Sequence, residues 1–147
     1  MKGNGEIKYL IYGNGQEYNT LNNYKIGKGL DNVTFEGFVK EDKKIDTYDS
    51  FNAFVFPSLH EGFGFPILEA QSRGLPVVIY KYGKIPKEVK KYCFEAEDDE
   101  HMAQIIENLK ENGYNKRKKE KATEYARSFT WEKCAIETMK VYKELSI

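Results

Sequence analysis

Two glutamates, Glu61 and Glu69, bracket the stretch of sequence best suited to ligand chemistry. Gly62 and Gly64, which lie between them, allow the backbone to approach a ligand closely. Pro66 favours a helix that begins beside it, and the free N–H groups at a helix N-terminus favour an anion such as phosphate. Carboxylates only accept hydrogen bonds, so both glutamates suit the hydroxyl groups of a sugar. The segment therefore predicts a site for a ligand that carries phosphate and hydroxyl groups.

Each of these features also has an ordinary structural explanation. We expect Glu69 to lie in the first turn of the helix, where the dipole favours a carboxylate by about 0.3–1 kcal/mol without any ligand. The glycines could serve turn geometry alone, and His60 is expected to bond to the loop backbone rather than to a ligand. Two glutamates could instead be the acid and base of a hydrolase, which face one bond across about 5–9.5 Å. A carboxylate on a helix beside a phosphate-type site favours ligand binding over hydrolysis.

The elements that must position this segment alternate between strand and helix. Short apolar or alternating runs predict strands over residues 7–12, 32–37, 53–57, 76–80 and 92–96. Helical spacing, caps and stop signals predict helices over residues 17–25, 42–51, 85–91, 114–129 and 131–145, another from Pro66 to a stop at Gly74, and one capped by Asp98 or Asp99. This order predicts an α/β fold with a mostly parallel sheet, in which ligands bind at the loops that follow the strands.

Several stretches match one enzyme family in the order in which that family carries them. They read EGFGFPILE at 61–69, YLIYGNG at 9–15, NVTFEGFV at 32–39, GKIP at 83–86 and FTWE at 129–132. Together they resemble the retaining glycosyltransferases of group 1 (family 4), which have the two-domain GT-B architecture and an E-x7-E signature. Because the match runs over nearly the full chain, it is far more specific than two spaced glutamates alone.

The resemblance implies a Rossmann-like, doubly wound domain of the C-terminal, donor-binding type, with its first strand missing. It implies that Glu61, the candidate catalytic residue, contacts hydroxyls of the transferred sugar, and that Glu69 contacts the ribose of a nucleotide. The other donor-binding positions it implies are Gly62, Phe63, Gly64, Phe65 and Pro66 beside the sugar and diphosphate, Phe38, Val39 and Lys40 beside the nucleobase, and Gly13 and Gly15.

The same resemblance implies a reaction and its partners. A nucleoside diphosphate sugar would be the donor, and no metal or cofactor is expected, because helix dipoles and basic side chains stabilise the leaving diphosphate. The acceptor would be a sugar, a lipid-linked sugar or a protein, held by an N-terminal domain that this sequence lacks, so a partner chain or a homo-oligomer is expected. The family's Gly-Arg strand and nearby lysine are also missing. The alternative is therefore a binding or scaffold module that has lost transfer activity.

Composition excludes several other classes. The 147 residues fit one domain, and 23 basic and 23 acidic side chains give no net charge, which argues against a nucleic-acid partner. Cys93 and Cys134 lie far apart, so neither a disulfide framework nor a zinc site is predicted. Gly13 and Gly15 lack the third glycine of a dinucleotide fingerprint, which disfavours an oxidoreductase. A cytoplasmic protein is expected, with membrane contact that is at most peripheral. The basic residues 115–121 could make such a contact, but the favoured interpretation of this cluster is a solvated helix face.

Overall fold

The computed structural model describes residues 6–145. The chain divides into two compact units, residues 1–50 and 51–147, and each unit has its own parallel sheet. Strands and helices alternate as far as the fifth strand and three helices follow it, as the sequence predicts, and the strand pairs within residues 6–145 are parallel. The assignment of all 147 residues to one domain stays a prediction.

The first unit contains a two-stranded sheet and its crossover helix. Strand β1 (Tyr9–Tyr12) pairs in parallel with β2 (Val33–Gly37), and helix α1 (Tyr18–Gly27) connects them. A single 3-10 turn (Glu41–Lys43) then leads into helix α2 (Lys44–Asp49). This βαβ connection places the carboxyl ends of β1 and β2 at the same edge of the small sheet.

The second unit is built around a three-stranded parallel sheet in the order β3, β4, β5. Strands β3 (Phe54–Phe56), β4 (Val77–Tyr80) and β5 (Phe94–Ala96) are connected through helices α3 (Phe65–Ser72) and α4 (Lys87–Lys90). Three longer helices follow, namely α5 (Asp99–Asn112), α6 (Lys116–Arg127) and α7 (Trp131–Leu145). Helix α6 packs on α3, and α5 packs on β4 and β5.

The apolar core of the second unit surrounds the central strand. Val77, Val78 and Ile79 of β4 are fully buried, as expected for a parallel strand that is covered on both faces. Ile67 and Ala70 of α3 are also fully buried. This packing fixes α3 against the sheet and thereby fixes the loop that precedes it.

Local signals set the helix boundaries as predicted. The Asp98 carboxylate accepts from the backbone N–H of His101 at 2.8 Å, and the Thr130 hydroxyl accepts from that of Lys133 at 3.1 Å. Gly74 follows the end of α3 with a φ of +80°, the left-handed conformation that commonly ends a helix. Within residues 6–145, no helix is both long enough and apolar enough to cross a membrane.

Candidate functional site

The loop that follows β3 is joined to the loop that follows β4. His60 and Lys84 form an isolated parallel bridge. The Glu61 backbone N–H donates to the Lys84 carbonyl at 3.0 Å, and the Lys84 N–H donates to the Leu59 carbonyl at 2.8 Å. These bonds fix the backbone on which Glu61 stands. Lys84 replaces the second glycine of the family's turn, and its backbone N–H and carbonyl form both of these hydrogen bonds.

Gly83 permits this joining. A Cβ atom on Gly83 would lie 2.8 Å from the Ser58 carbonyl oxygen, closer than any side chain tolerates. The Ser58 hydroxyl in turn donates to the His60 carbonyl at 3.1 Å. The two loops therefore approach each other as closely as they do because position 83 has no side chain.

Gly64 sets the direction in which α3 leaves the loop. It is the N-cap of α3 and has a φ of +93°, a conformation that glycine adopts without strain. A Cβ atom there would meet side-chain atoms of Ile67 at 3.3 Å, Val89 at 3.5 Å and Ile85 at 3.6 Å. The backbone at Gly64 thus lies directly on the apolar core.

Glu69 lies farther along α3 than its sequence position suggests, and the expectation of a first-turn position was wrong. Because Gly64 is the cap, the helix begins at Phe65, one residue before Pro66, and no acidic residue lies in its first turn. The dipole effect decays within the first turn, so it explains the glutamate at position 69 less well than expected.

Glu61 has a carboxylate without a partner among the residues that the structure describes. The residue is half-buried, and its carboxylate forms no hydrogen bond or ion pair with any part of the chain from residue 6 to 145. In the following stretch, 62–65, four consecutive backbone N–H groups donate to no other group of the described chain. Successive backbone N–H groups next to a left-handed residue, here Gly64, are one arrangement that forms an anion-binding concavity, which makes this loop a candidate anion site.

The predicted donor-binding residues fall into two sets, one in each unit. Glu61, Gly62, Phe63, Gly64, Phe65, Pro66 and Glu69 form one continuous loop and helix start in the second unit. Gly13, Gly15, Phe38, Val39 and Lys40 follow the carboxyl ends of β1 and β2 in the first unit. Within that unit, the Gly13 N–H donates to the Gly37 carbonyl at 2.8 Å, so the two strand ends are joined.

An aromatic cluster beside the loop was missed by sequence reasoning. The ring of Phe63 lies 4.9 Å from that of Phe65 and 6.2 Å from that of Phe129, and Phe65 lies 6.1 Å from Trp131. The helical spacing of Trp131, Ala135, Thr138 and Tyr142 predicts a packing stripe of α7, in preference to carbohydrate stacking by Trp131. That prediction was wrong for Trp131, because its side chain is 78% exposed. The only sequence signal was the Phe-Thr-Trp stretch at the junction of α6 and α7.

The basic residues 115–121 are partly structural. The Lys118 ammonium lies 3.5 Å from the centre of the Phe94 ring, and burial lowers its pKa. A shallow groove on α6 is lined by Lys116, Lys119, Glu120, Thr123, Glu124, Arg127 and Ser128. Arg127 Nε donates to the Ser72 carbonyl at 3.2 Å, so the groove adjoins the C-terminal end of α3. The Glu61 loop lies at the opposite end of that helix.

Cys93 contacts Gln71 of α3, and its thiol is a poor nucleophile. Its sulfur accepts from the Gln71 amide at 3.4 Å, and burial raises the pKa of the thiol to about 12. Because the thiolate is the nucleophile, a thiol that stays protonated near neutral pH is unsuited to covalent catalysis.

We expect the two cysteines to react with a thiol reagent at very different rates. At pH 8, Cys134, which is exposed, should be labelled by a disulfide reagent more than about tenfold faster than Cys93, because the raised pKa of Cys93 keeps its thiolate scarce. Mass spectrometry of timed samples would give both rates. Equal labelling of the two thiols in the folded protein would contradict this.

Comparison with known proteins shows the family of this chain. The family model for group 1 glycosyl transferases matches residues 1–129. The O-antigen chain mannosyltransferase B of Escherichia coli is 32% identical over 116 residues, covering 77% of this chain and 30% of that protein. A glycosyltransferase of Methanocaldococcus jannaschii, MJ1178, is 25% identical, covering 96% of this chain and 42% of that protein. The chain thus spans less than half the length of these relatives.

Solved structures show the same fold. The crystal structure of TarM superposes with a TM-score of 0.77 at 21% identity, covering 95% of this chain and 29% of that one. The pneumococcal O-GlcNAc transferase GtfA, solved in complex with UDP and GlcNAc, gives a TM-score of 0.67 at 19% identity, covering 93% and 29%. A GtfA/B complex gives 0.70 at 18% identity, covering 95% and 30%. With its parallel sheets and flanking helices, the chain has an α/β fold similar to GT-B glycosyltransferase domains and belongs to the group 1 glycosyltransferase family.

Proposed function

We propose that this chain binds a nucleoside diphosphate sugar, as the donor-binding part of a retaining glycosyltransferase. The observation that carries the proposal is the loop 61–65. There a half-buried carboxylate without a protein partner precedes four backbone N–H groups that have no acceptor in the described chain. A sugar diphosphate carries the hydroxyl donors and the anionic acceptors that complement both.

Each group has a distinct task in this proposal. The N–H groups of 62–65 and the start of α3 bind the diphosphate and stabilise the charge that develops on it as the sugar departs. Glu61 accepts from hydroxyls of the transferred sugar, and Glu69 accepts from the ribose. The donor-binding roles of Phe38, Val39, Lys40, Gly13 and Gly15 in the first unit stay predictions from the family resemblance. The proposal requires no metal or cofactor.

The proposed acceptor is a sugar, a lipid-linked sugar or a protein, and another domain or chain holds it. One line of support is that the chain spans less than half the length of the relatives it matches. A second is that a protein with the same fold has been solved as a GtfA/B complex. We accordingly expect weak or absent transfer by this chain alone. A cytoplasmic location, with membrane contact at most peripheral, is part of the same proposal.

Calorimetry with a panel of nucleotide sugars tests the proposal. UDP-, GDP- and ADP-linked hexoses would be titrated into the protein, together with each nucleoside diphosphate and each unphosphorylated nucleoside. At least one diphosphate should bind, and its nucleoside should bind more weakly because it lacks the anion that the loop complements. The absence of binding by every diphosphate at millimolar concentration would contradict the proposal and favour the scaffold alternative.

A further inference from the structure

An exposed pair of aromatic rings stands at the edge of the Glu61 loop. Phe65 is the first residue of α3 and is 52% exposed, while Trp131 is the first residue of α7 and is 78% exposed. Their ring centres lie 6.1 Å apart, with the ring planes tilted by 36°. The two rings therefore face solvent while in contact with each other.

Further rings hold this pair in place. Phe63, which is half-buried, contacts Phe65 at 4.9 Å and Phe129 at 6.2 Å, and Phe129 contacts Tyr125 of α6 at 5.2 Å. Interlocked rings lose little further freedom when a ligand binds, so the exposed faces form a preorganised surface.

We propose that Phe65 and Trp131 form a subsite that stacks against the apolar face of a pyranose ring in a saccharide ligand. The inference rests on the proposed function and adds a residue pair that binds sugar through this chain itself. The C–H groups on one face of a pyranose carry partial positive charge and meet the negative face of an aromatic ring, while the same contact removes apolar surface from water. Glu61 lies four residues before Phe65 in the same loop, and its carboxylate, which has no partner within residues 6–145, is available to accept from the hydroxyls of such a ligand.

Trp131 differs from the other exposed apolar side chains of α7 because it lies at the start of the helix, in contact with Phe65. Met139 is also exposed, but it lies eight residues after Trp131, about 12 Å along the helix axis. It belongs to no ring contact of the loop. Met139 therefore provides a matched control on the same helix.

The chain has a single tryptophan and eleven tyrosines, so fluorescence excited at the red edge, where tyrosine does not absorb, reports on position 131 alone. Methyl mannopyranoside, methyl glucopyranoside and a linear mannotriose would be titrated into the protein. We expect a saturable change in emission with at least one of them. Phe65→Leu, which keeps an apolar side chain but removes the ring, should weaken that binding about fivefold. Met139→Leu should leave it unchanged, and circular dichroism would confirm that both variants fold.

Three results would overturn the subsite. The first is an absence of any saturable change with all three saccharides, and the second is an unchanged affinity in Phe65→Leu. The third is an emission shift that depends on the protein concentration and not on the saccharide concentration, which would mean that a second copy covers Trp131. If the saccharides fail while a nucleoside diphosphate still binds, the subsite is wrong and the proposed function stands. If the saccharides bind and every diphosphate fails, the proposed function is wrong.

Discussion

Replacing Gly64 by valine is expected to lower the free energy of unfolding by about 3 kcal/mol, which corresponds to a fall in melting temperature of roughly 10 °C for a chain of this size. A β-branched residue at a φ of +93° costs about 1–2 kcal/mol in backbone strain. Its methyl groups would add overpacking of about 1–3 kcal/mol, because even a Cβ atom meets Ile67, Val89 and Ile85 within 3.6 Å. Urea titration followed by circular dichroism would measure the loss.

Gly62→Val is the matched control for this prediction. Gly62 lies in the same loop, its φ is outside the positive region, and a Cβ atom there would meet nothing within 4 Å. The free energy of unfolding of Gly62→Val should differ from that of the unaltered protein by less than about 0.5 kcal/mol, as for an ordinary surface substitution. Equal losses in the two variants would show that Gly64 does not direct the chain onto the core.

The second large effect concerns the two glutamates. Glu69→Ala should weaken the binding of both the nucleoside diphosphate and its sugar-bearing form by about tenfold or more, because lost hydrogen bonds to a carboxylate are worth about 1–3 kcal/mol. Glu61→Ala should weaken the sugar-bearing form by a similar factor and leave the plain diphosphate nearly unchanged. Calorimetry with both ligands on both variants would measure the difference.

Glu88→Ala serves as the control for this pair, since Glu88 is an exposed acidic residue on α4. It should bind both ligands as the unaltered protein does. If the variants at 61 and 69 matched this control, or if Glu61→Ala reduced the two affinities equally, the assigned roles of the glutamates would be wrong.

Features that depend on residues close together in the sequence were predicted correctly. Asp98 and Thr130 cap their helices, and Gly74 ends α3, because each signal acts through backbone groups only a few residues away. The apolar run of β4 likewise predicted a buried parallel strand. Such short-range rules give the order of elements and hence the parallel pairing.

Features that depend on tertiary contacts were not predicted. The contact between Phe65 and Trp131 joins residues far apart in the chain, and the bonds between Lys84 and the Glu61 loop join two different strand ends. Glu69 was misplaced for a related reason, since Gly64 became the helix cap by resting on core side chains. Residue types and spacing located the candidate segment, but only the fold revealed a carboxylate and four N–H groups that have no partner within residues 6–145.

The most direct test of the central claim is a map of where a nucleoside diphosphate sugar binds. Backbone amide signals of the isotopically labelled protein would be followed by NMR during titration with the tightest ligand of the calorimetric panel. We predict that the largest shifts fall on residues 61–69, with the N–H groups of 62–65 moving most. Largest shifts along the α6 groove, at residues 116–128, with the Glu61 loop unperturbed, would contradict the account.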